Sequence, residues 1–204
     1  MKKFLRFLIS TVLVLLISLL ILIIFLFIKS KIWERNFQST LNPGNLVSSG
    51  ELPEEFNQRV EEYILSEEGS DFLTLTPQEV GHILFRSIDQ MVEGSGVELT
   101  NIYIDPSKGV WNVCARLRLK EINALNGWAC ADVTKDEIQT PQIYLESLKF
   151  QGIDIGKVFP SILTKANQGI AEAIITANEN GFVGRIFENI ELLENELVTK
   201  GSLY

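Results

Sequence analysis

The sequence has few of the residues from which catalytic and metal centres are usually built. It contains one histidine, His82, and two cysteines, Cys114 and Cys130, in 204 residues. Two thiols are too few for a zinc site, and the histidine lies in a different segment from both. The sequence also lacks a Gly-x-Ser-x-Gly elbow, a phosphate-binding loop and a histidine-rich ligand set. We therefore expect a protein that is not an enzyme and that uses no cofactor or metal.

Positive charge is also scarce once the N-terminal segment is set aside. Residues 1–35 contain six of the 18 Lys and Arg residues and one of the 26 acidic residues. Residues 36–204 therefore carry 12 basic and 25 acidic side chains, a net charge of −13. A field of this sign repels nucleic-acid phosphates and anionic lipid head groups. Nucleic acid is thus excluded as an expected partner, and any contact of this part with lipid should be mainly apolar.

The N-terminus contains a long hydrophobic run. The 22 residues from Phe7 to Ile28 carry no charge, and only Ser10, Thr11 and Ser18 interrupt the apolar side chains. A helix of this length would span about 33 Å, enough to cross a hydrocarbon core of about 30 Å. A cleaved signal peptide is the alternative, but its apolar region is usually about 7–15 residues long and ends at small residues. The longer run and the missing cleavage site favour a single-pass membrane anchor.

The basic residues flanking this run give only a weak orientation signal. Three precede the run and three follow it within residues 1–35. An N-terminus inside the cell is favoured, because the short cationic tail would otherwise have to cross the membrane. The sequence then divides into a cytoplasmic tail and anchor (1–35), a flexible tether rich in turn formers (36–52) and an extracytoplasmic domain (53–204). We expect the protein at the cell membrane, with the C-terminal domain outside the cytoplasm.

The C-terminal domain is predicted to be α+β, with helices before and after an antiparallel sheet. One helix should begin near Pro53 and another at the capping box Thr76-Pro77-Gln78-Glu79. The apolar face predicted for the second helix comprises Val80, Ile83, Leu84, Ile88 and Met91. Strands are predicted at Val97–Ile104, Val110–Leu119, Trp128–Val133 and Ile143–Phe150, a helix at Phe159–Ala177, and a hairpin at Ile186–Leu193 and Leu197–Thr199. Short links between the strands indicate a meander with one buried and one wet face.

The two cysteines fall on strands that are predicted to be neighbours. An antiparallel register centred near residue 122 places Cys114 opposite Cys130. Opposite residues lie about 4.5–5.5 Å apart, which is compatible with disulfide geometry. Such a bridge would persist outside the cytoplasm. The alternative is a pair of unlinked, partly buried thiols.

The apolar side of the last predicted helix has two interpretations. In the first it is ordinary protein core, and in the second it lines an apolar groove for lipid. Small residues on this side would permit close packing, and they would equally leave room for acyl chains. The candidate groove residues are Phe159, Ile162, Leu163, Ala166, Ile170 and Ile174.

Three segments, in this order, resemble parts of the bacterial YpmS-like and LmeA-like proteins. Leu73–Val80 is similar to their leucine–threonine segment before an acidic helix start. Leu148–Pro160 is similar to the segment that leads into a helix bearing an asparagine, here Asn167. Ile186–Leu192 is similar to the closing strand. The resemblance covers roughly residues 53–200 and extends to the single N-terminal span of the YpmS-like group.

These families look like small relatives of tubular lipid-binding (TULIP-type) domains, in which a curved antiparallel sheet wraps a long helix beside an apolar groove. The resemblance implies binding or transfer of lipid, or of another apolar ligand, in the cell envelope without catalysis. The alternative is a non-catalytic interaction module that presents the acidic domain to a protein partner in a membrane or cell-envelope complex. An enzyme is a third hypothesis, and it would need residues such as Asp132, Asp154 or His82 to converge in space.

Overall fold

The computed structural model describes residues 2–65, 72–107, 109–121, 126–135, 141–179 and 185–203. The chain divides into two compact units, Met1–Thr40 and Leu41–Tyr204. The helices are α1 (Lys2–Thr40), α2 (Glu54–Leu65), α3 (Pro77–Val92), α4 (Ile155–Val158) and α5 (Pro160–Glu179). The strands are β1 (Leu46–Val47), β2 (Phe72–Leu75), β3 (Val97–Ser107), β4 (Val110–Leu119), β5 (Asn126–Lys135), β6 (Ile143–Phe150), β7 (Ile153–Asp154), β8 (Arg185–Leu192) and β9 (Leu197–Leu203).

The first unit is the single helix α1. Its part from Thr11 to Thr40 is long and apolar enough to cross a membrane. The apolar side chains from Val12 to Ile28 are exposed, as for Phe25 at 62 %. Near the C-terminal end, the rings of Trp33 and Phe37 stack with centroids 4.9 Å apart. An apolar helix flanked by aromatic residues is typical of a membrane span and its interface, so this helix is compatible with a single-pass anchor.

The segment predicted as a flexible tether, residues 36–52, differs from that expectation. Helix α1 continues to Thr40, and a short 3-10 turn follows at Pro43–Asn45. Strand β1 then pairs antiparallel with β3, with Leu46 opposite Tyr103. Two apolar residues are too few to produce an alternating pattern, which explains why the sequence did not indicate this strand.

Side-chain contacts within the second unit also hold the part of this segment that follows Thr40. Val47 is 2 % exposed and packs against Gly81 of α3. A Cβ atom at Gly81 would lie 2.9 Å from Val47 Cγ2, so the close approach requires glycine. His82 Nδ1 donates a hydrogen bond of 2.8 Å to the Ser49 carbonyl oxygen. The part of the predicted tether after Thr40, residues 41–52, is therefore part of the folded domain.

Within its described residues, the second unit contains two antiparallel sheets. The larger has the strand order β1-β3-β4-β5-β6-β7, and its central four strands form the predicted meander. The smaller has the order β2-β9-β8 and joins the predicted C-terminal hairpin to β2. The predicted α+β architecture, an N-terminal apolar helix followed by an antiparallel sheet packed on helices, is confirmed. The second sheet and helix α4 were not predicted.

The main core lies between α3 and one face of the larger sheet. Thr76 caps α3 by accepting a hydrogen bond from the Glu79 amide, and the Glu79 side chain accepts from the Thr76 amide, so the predicted capping box is present. Met91 is 74 % exposed and does not belong to the predicted apolar face, because Val92 takes the inward position at this end of the helix. The buried core residues are Val47, Phe85, Leu99, Ile102, Ile104, Trp111 and Leu192.

The opposite face of the larger sheet is not uniformly wet. Tyr103, Cys114, Cys130 and Trp128 are between 0 and 3 % exposed. Cys114 lies opposite both Tyr103 and Cys130, and Trp128 lies opposite Arg116, so these residues sit side by side on this face. The guanidinium carbon of Arg116 lies 5.8 Å from the Trp128 ring centroid. The predicted division into one buried and one wet face is therefore wrong at the centre of the sheet.

Candidate functional site

The structure separates the six predicted groove residues into two groups. Phe159 and Ile162 are 56 % and 44 % exposed. The other four lie on the half-buried side of α5, which packs against β6 and α4 and contacts β8. These four are Leu163, Ala166, Ile170 and Ile174. They meet other parts of the domain, whereas the first two face outward.

A single asparagine attaches the half-buried side of α5 to the sheet. Asn167 Oδ1 accepts a hydrogen bond of 2.6 Å from the Leu145 amide, and Asn167 Nδ2 donates one of 3.0 Å to the Leu145 carbonyl oxygen. The side-chain amide thus pairs with β6 as a neighbouring strand would. Because β7 pairs only with the end of β6, at Lys149 and Phe150, Asn167 satisfies backbone groups that β7 does not reach.

The turn between α4 and α5 exposes a group of apolar side chains that we call the α4–α5 apolar patch. It consists of Val158, Phe159 and Ile162, and Val158 is 60 % exposed. Pro160 disfavours a helical conformation at the preceding residue, so α4 ends and Phe159 adopts φ −130° and ψ 75°. The Phe159 amide donates to the Ile155 carbonyl oxygen at 2.7 Å and the Ile162 amide donates to the Phe159 carbonyl oxygen at 3.0 Å. The patch is therefore held by backbone hydrogen bonds on both sides.

A polar depression beside this patch, which we call the β6–α4 groove, has a volume of about 390 Å³. Strands β5 and β6, helix α4 and the first turns of α5 form its walls. Its ionisable and apolar lining includes Asp132, Glu146, Lys149, Asp154, Lys157 and Leu163. Two of the three residues that an enzyme would have required, Asp132 and Asp154, thus line one groove.

Asp132 is the most completely hydrogen-bonded acid in this groove. Its carboxylate accepts from Asn112 Nδ2 at 2.6 Å, from Lys149 Nζ at 2.8 Å and from the Ser147 hydroxyl. Burial raises the pKa of Asp132, but the hydrogen bonds from Lys149, Ser147 and Asn112 together hold the pKa below its ordinary value. Asp132 is therefore an ionised, structurally engaged group, and the chemistry of a poised general base is not indicated.

Asp154 is engaged in the same way at the start of α4. Its side chain accepts a hydrogen bond of 2.9 Å from the Lys157 amide, and the Lys157 ammonium lies 3.3 Å from its second oxygen. The backbone hydrogen bond from Lys157 lowers the pKa of Asp154. Glu146 differs from both, because it is exposed and has no hydrogen bond or ion pair within the described parts of the chain.

His82 and the two cysteines are not among the residues that line the groove. His82 is on α3 and bonds to Ser49, which gives it a structural role. Cys114 and Cys130 face each other in the predicted register and form a disulfide with Cα atoms 4.0 Å apart. The sequence pattern does not mark Glu146, Lys149 or Lys157 as site residues, because isolated charged residues in strands and short helices are typical of any solvated surface.

Comparisons with family models, curated proteins and solved structures found no match for this chain.

Proposed function

We propose that this protein is a membrane-anchored, extracytoplasmic lipid-binding or lipid-transfer protein that contacts lipid through the α4–α5 apolar patch. The exposure of Val158, Phe159 and Ile162 on a domain of net charge −13 is the observation that carries the proposal. Apolar side chains on an acidic surface favour hydrophobic contact with acyl chains over an electrostatic grip on anionic head groups.

The size of the patch fits a weak contact that the anchor would reinforce. Full burial of an apolar side chain is worth about 1.5–3 kcal/mol, so three half-exposed side chains could contribute about 3 kcal/mol in total. Alone, such a contact would correspond to a dissociation constant in the millimolar range. An anchor in the same chain keeps the local lipid concentration high, so contacts of this strength are usable.

The compartment in this proposal is supported by the disulfide. A bridge between Cys114 and Cys130 persists in oxidising compartments and is rare where thiol reductants dominate. The resemblance to YpmS-like and LmeA-like proteins agrees with an envelope location. A TULIP-like arrangement is part of the proposal, with Leu163, Ala166 and Ile170 placed along the path of an acyl chain.

Photolabelling of the full-length protein in vesicles tests the proposal. The vesicles would contain a phospholipid with a diazirine in its acyl chain, and adducts would be located by peptide mass spectrometry. Labelling of α1 serves as the internal positive control, and the peptide around Met91, an exposed apolar residue on α3, serves as the negative control. We expect adducts at Val158–Leu163 in addition to α1.

A triple variant checks that the patch causes this labelling. Val158→Ser, Phe159→Ser and Ile162→Ser together should abolish adducts at α4–α5 and leave labelling of α1 unchanged. Because the three positions are exposed, these changes should leave the fold intact, and circular dichroism checks this. Labelling confined to α1 in the wild-type protein would overturn the proposal.

An interaction module in a membrane or cell-envelope complex is the second candidate. Strand β2 is at an edge of the smaller sheet within the described chain, and Phe72 on it is 52 % exposed. Edge strands accept strands of partner proteins. Photo-crosslinking from position 72 to a stoichiometric protein partner, without lipid adducts at α4–α5, would favour this candidate.

A further inference from the structure

We propose that the β6–α4 groove binds the ammonium group of an amphiphile whose acyl chain lies on the α4–α5 apolar patch. This inference rests on the proposed function and adds the class of head group to it. The volume of about 390 Å³ lies within the range of about 300–1,000 Å³ that is usual for small-molecule sites.

The groove and the patch are continuous along the chain. Lys157 lines the groove, and the next two residues, Val158 and Phe159, belong to the patch. One helical turn later, Ile162 belongs to the patch and Leu163 lines the groove. A ligand that occupies both surfaces must therefore have a polar end and an apolar end.

The distribution of charge determines which polar end fits. Two ion pairs, Asp132 with Lys149 at 2.8 Å and Asp154 with Lys157 at 3.3 Å, neutralise four of the five ionisable groups that line the groove. The fifth group, Glu146, is exposed and has no partner within the described residues. Among the residues that the structure describes, the groove thus offers one uncompensated negative charge beside two lysines that are already paired.

A ligand cation is the natural complement of this arrangement. An ammonium group would pair with the Glu146 carboxylate without breaking either existing ion pair. A ligand phosphate or carboxylate would have to take a lysine from its aspartate, and it would also meet the repulsion of an acidic domain. The head groups expected are therefore those that carry an amine, whether zwitterionic or cationic.

The experiment uses the full-length protein in vesicles and two diazirine phospholipids that differ only in the head group. One carries phosphoethanolamine and the other phosphoglycerol. The measured quantity is the adduct yield at α4–α5 divided by the yield at α1 in the same sample. For the wild-type protein we expect the ethanolamine probe to exceed the glycerol probe about three- to fivefold, the upper range for one exposed ion pair.

The variants separate a local site from general repulsion. Glu146→Gln removes the charge in the groove and should bring the ratio of the two probes close to one. Glu172→Gln, at an exposed position on α5, removes the same charge elsewhere and should leave the ratio unchanged. Both variants change the net charge of the domain equally, so only a contact at Glu146 predicts a difference between them.

The outcomes distinguish this inference from the function on which it rests. If neither probe labels α4–α5, the proposed lipid-binding function fails. If both probes label it equally in the wild-type protein, or if Glu146→Gln leaves the ratio unchanged, lipid contact stands and the ammonium site is wrong. An equal effect of Glu146→Gln and Glu172→Gln would also overturn the site, since net charge would then explain the preference.

Discussion

Phe85 on α3 is 9 % exposed, whereas Phe159, directly before α5, is 56 % exposed. Both helices carry apolar residues at helical spacing. Helix α3 packs on β3 and β1, at the opposite side of the larger sheet from α5, and its core includes residues of β3 and β4. Helix α5 packs at the β6 side of the same sheet. Periodicity therefore reports that a helix has an apolar side, and the position of the helix relative to the sheet decides how much of that side is buried.

Truncating one isoleucine in the α3 core and one in the α4–α5 apolar patch should give the largest difference in the free energy of unfolding. Ile104 is 0 % exposed in the α3 core, and Ile104→Ala should lower the free energy of unfolding by about 2–5 kcal/mol. Ile162 is 44 % exposed, and Ile162→Ala should cost less than about 1 kcal/mol because little cavity forms. Urea unfolding of the full-length protein in a maltoside detergent, followed by tryptophan fluorescence, measures both.

Equal losses in the two variants would contradict the comparison. A large loss for Ile162→Ala would mean that the patch belongs to a second core, and the proposed lipid contact would lose its basis. The two changes remove the same atoms, but Ile104 lies on strand β3 and Ile162 on helix α5. Alanine is less favourable than isoleucine in a strand and more favourable in a helix, so intrinsic propensity adds to the difference expected from burial.

Removal of the disulfide should have the next largest effect on the free energy of unfolding. This change concerns the centre of the larger sheet rather than either helix. Cys114 and Cys130 enclose a short loop, with a sequence separation of 16, for which the chain-entropy contribution is about 3 kcal/mol. Replacing both by alanine should lower the free energy of unfolding by about this amount, and reductant should act similarly on the wild-type protein. Thiol labelling of protein isolated without reductant checks the state of the bridge, and two freely labelled cysteines would contradict it.

The hydrogen bonds that attach α5 to β6 should contribute less to the free energy of unfolding than the α3 core or the disulfide. Asn167→Ala removes two hydrogen bonds to Leu145. The backbone amide and carbonyl oxygen of Leu145 then lose their bonds to the Asn167 side chain. We expect a loss of about 2 kcal/mol and faster amide exchange along β6, because partly buried backbone groups are costly to leave unpaired. Gln168→Ala, at the adjacent exposed position, is the matched control and should change neither quantity. An unchanged exchange rate in Asn167→Ala would show that α5 is held by apolar packing alone.

Local signals allowed the larger part of the fold to be predicted. The capping box places the start of α3 at Thr76, and alternation along Val110–Leu119 identifies β4 with its final bounds. The register that brings Cys114 opposite Cys130 follows from the centre of one hairpin. Each of these features depends on residues that are close in sequence, where backbone chemistry and periodicity act directly.

Features that depend on distant contacts could not be predicted. Strand β2 pairs with β9, near the other end of the domain, and β1 consists of two residues whose role depends on Gly81 and Tyr103. The candidate site shows the same limit. The sequence indicated the apolar side of α5 but not that Ile162 would face outward, and the β6–α4 groove is assembled from elements with no shared motif.

The smallest expected effect on stability is that of Asp132→Asn. Asp132 lies on β5, outside the contacts of α3 and α5 with the sheet. Its pKa is lowered in the folded protein, so the ionised carboxylate stabilises the fold above the ordinary value of 3.8, and this contribution is lost as the pH falls through the folded-state pKa. Asp132→Asn should therefore be less stable than the wild-type protein at neutral pH, by at most about 1 kcal/mol. Urea titrations between neutral pH and pH values below that ordinary pKa should show this gap closing on acidification.

Asp105→Asn, at an exposed position on β3, provides the control, and its gap should stay small at every pH. A gap for Asp132→Asn that persisted at low pH would mean that the shape of the side chain, rather than its charge, holds Asn112, Ser147 and Lys149 together. The pH dependence of this one variant thus decides whether the charge of Asp132 or the shape of its side chain stabilises this part of the sheet.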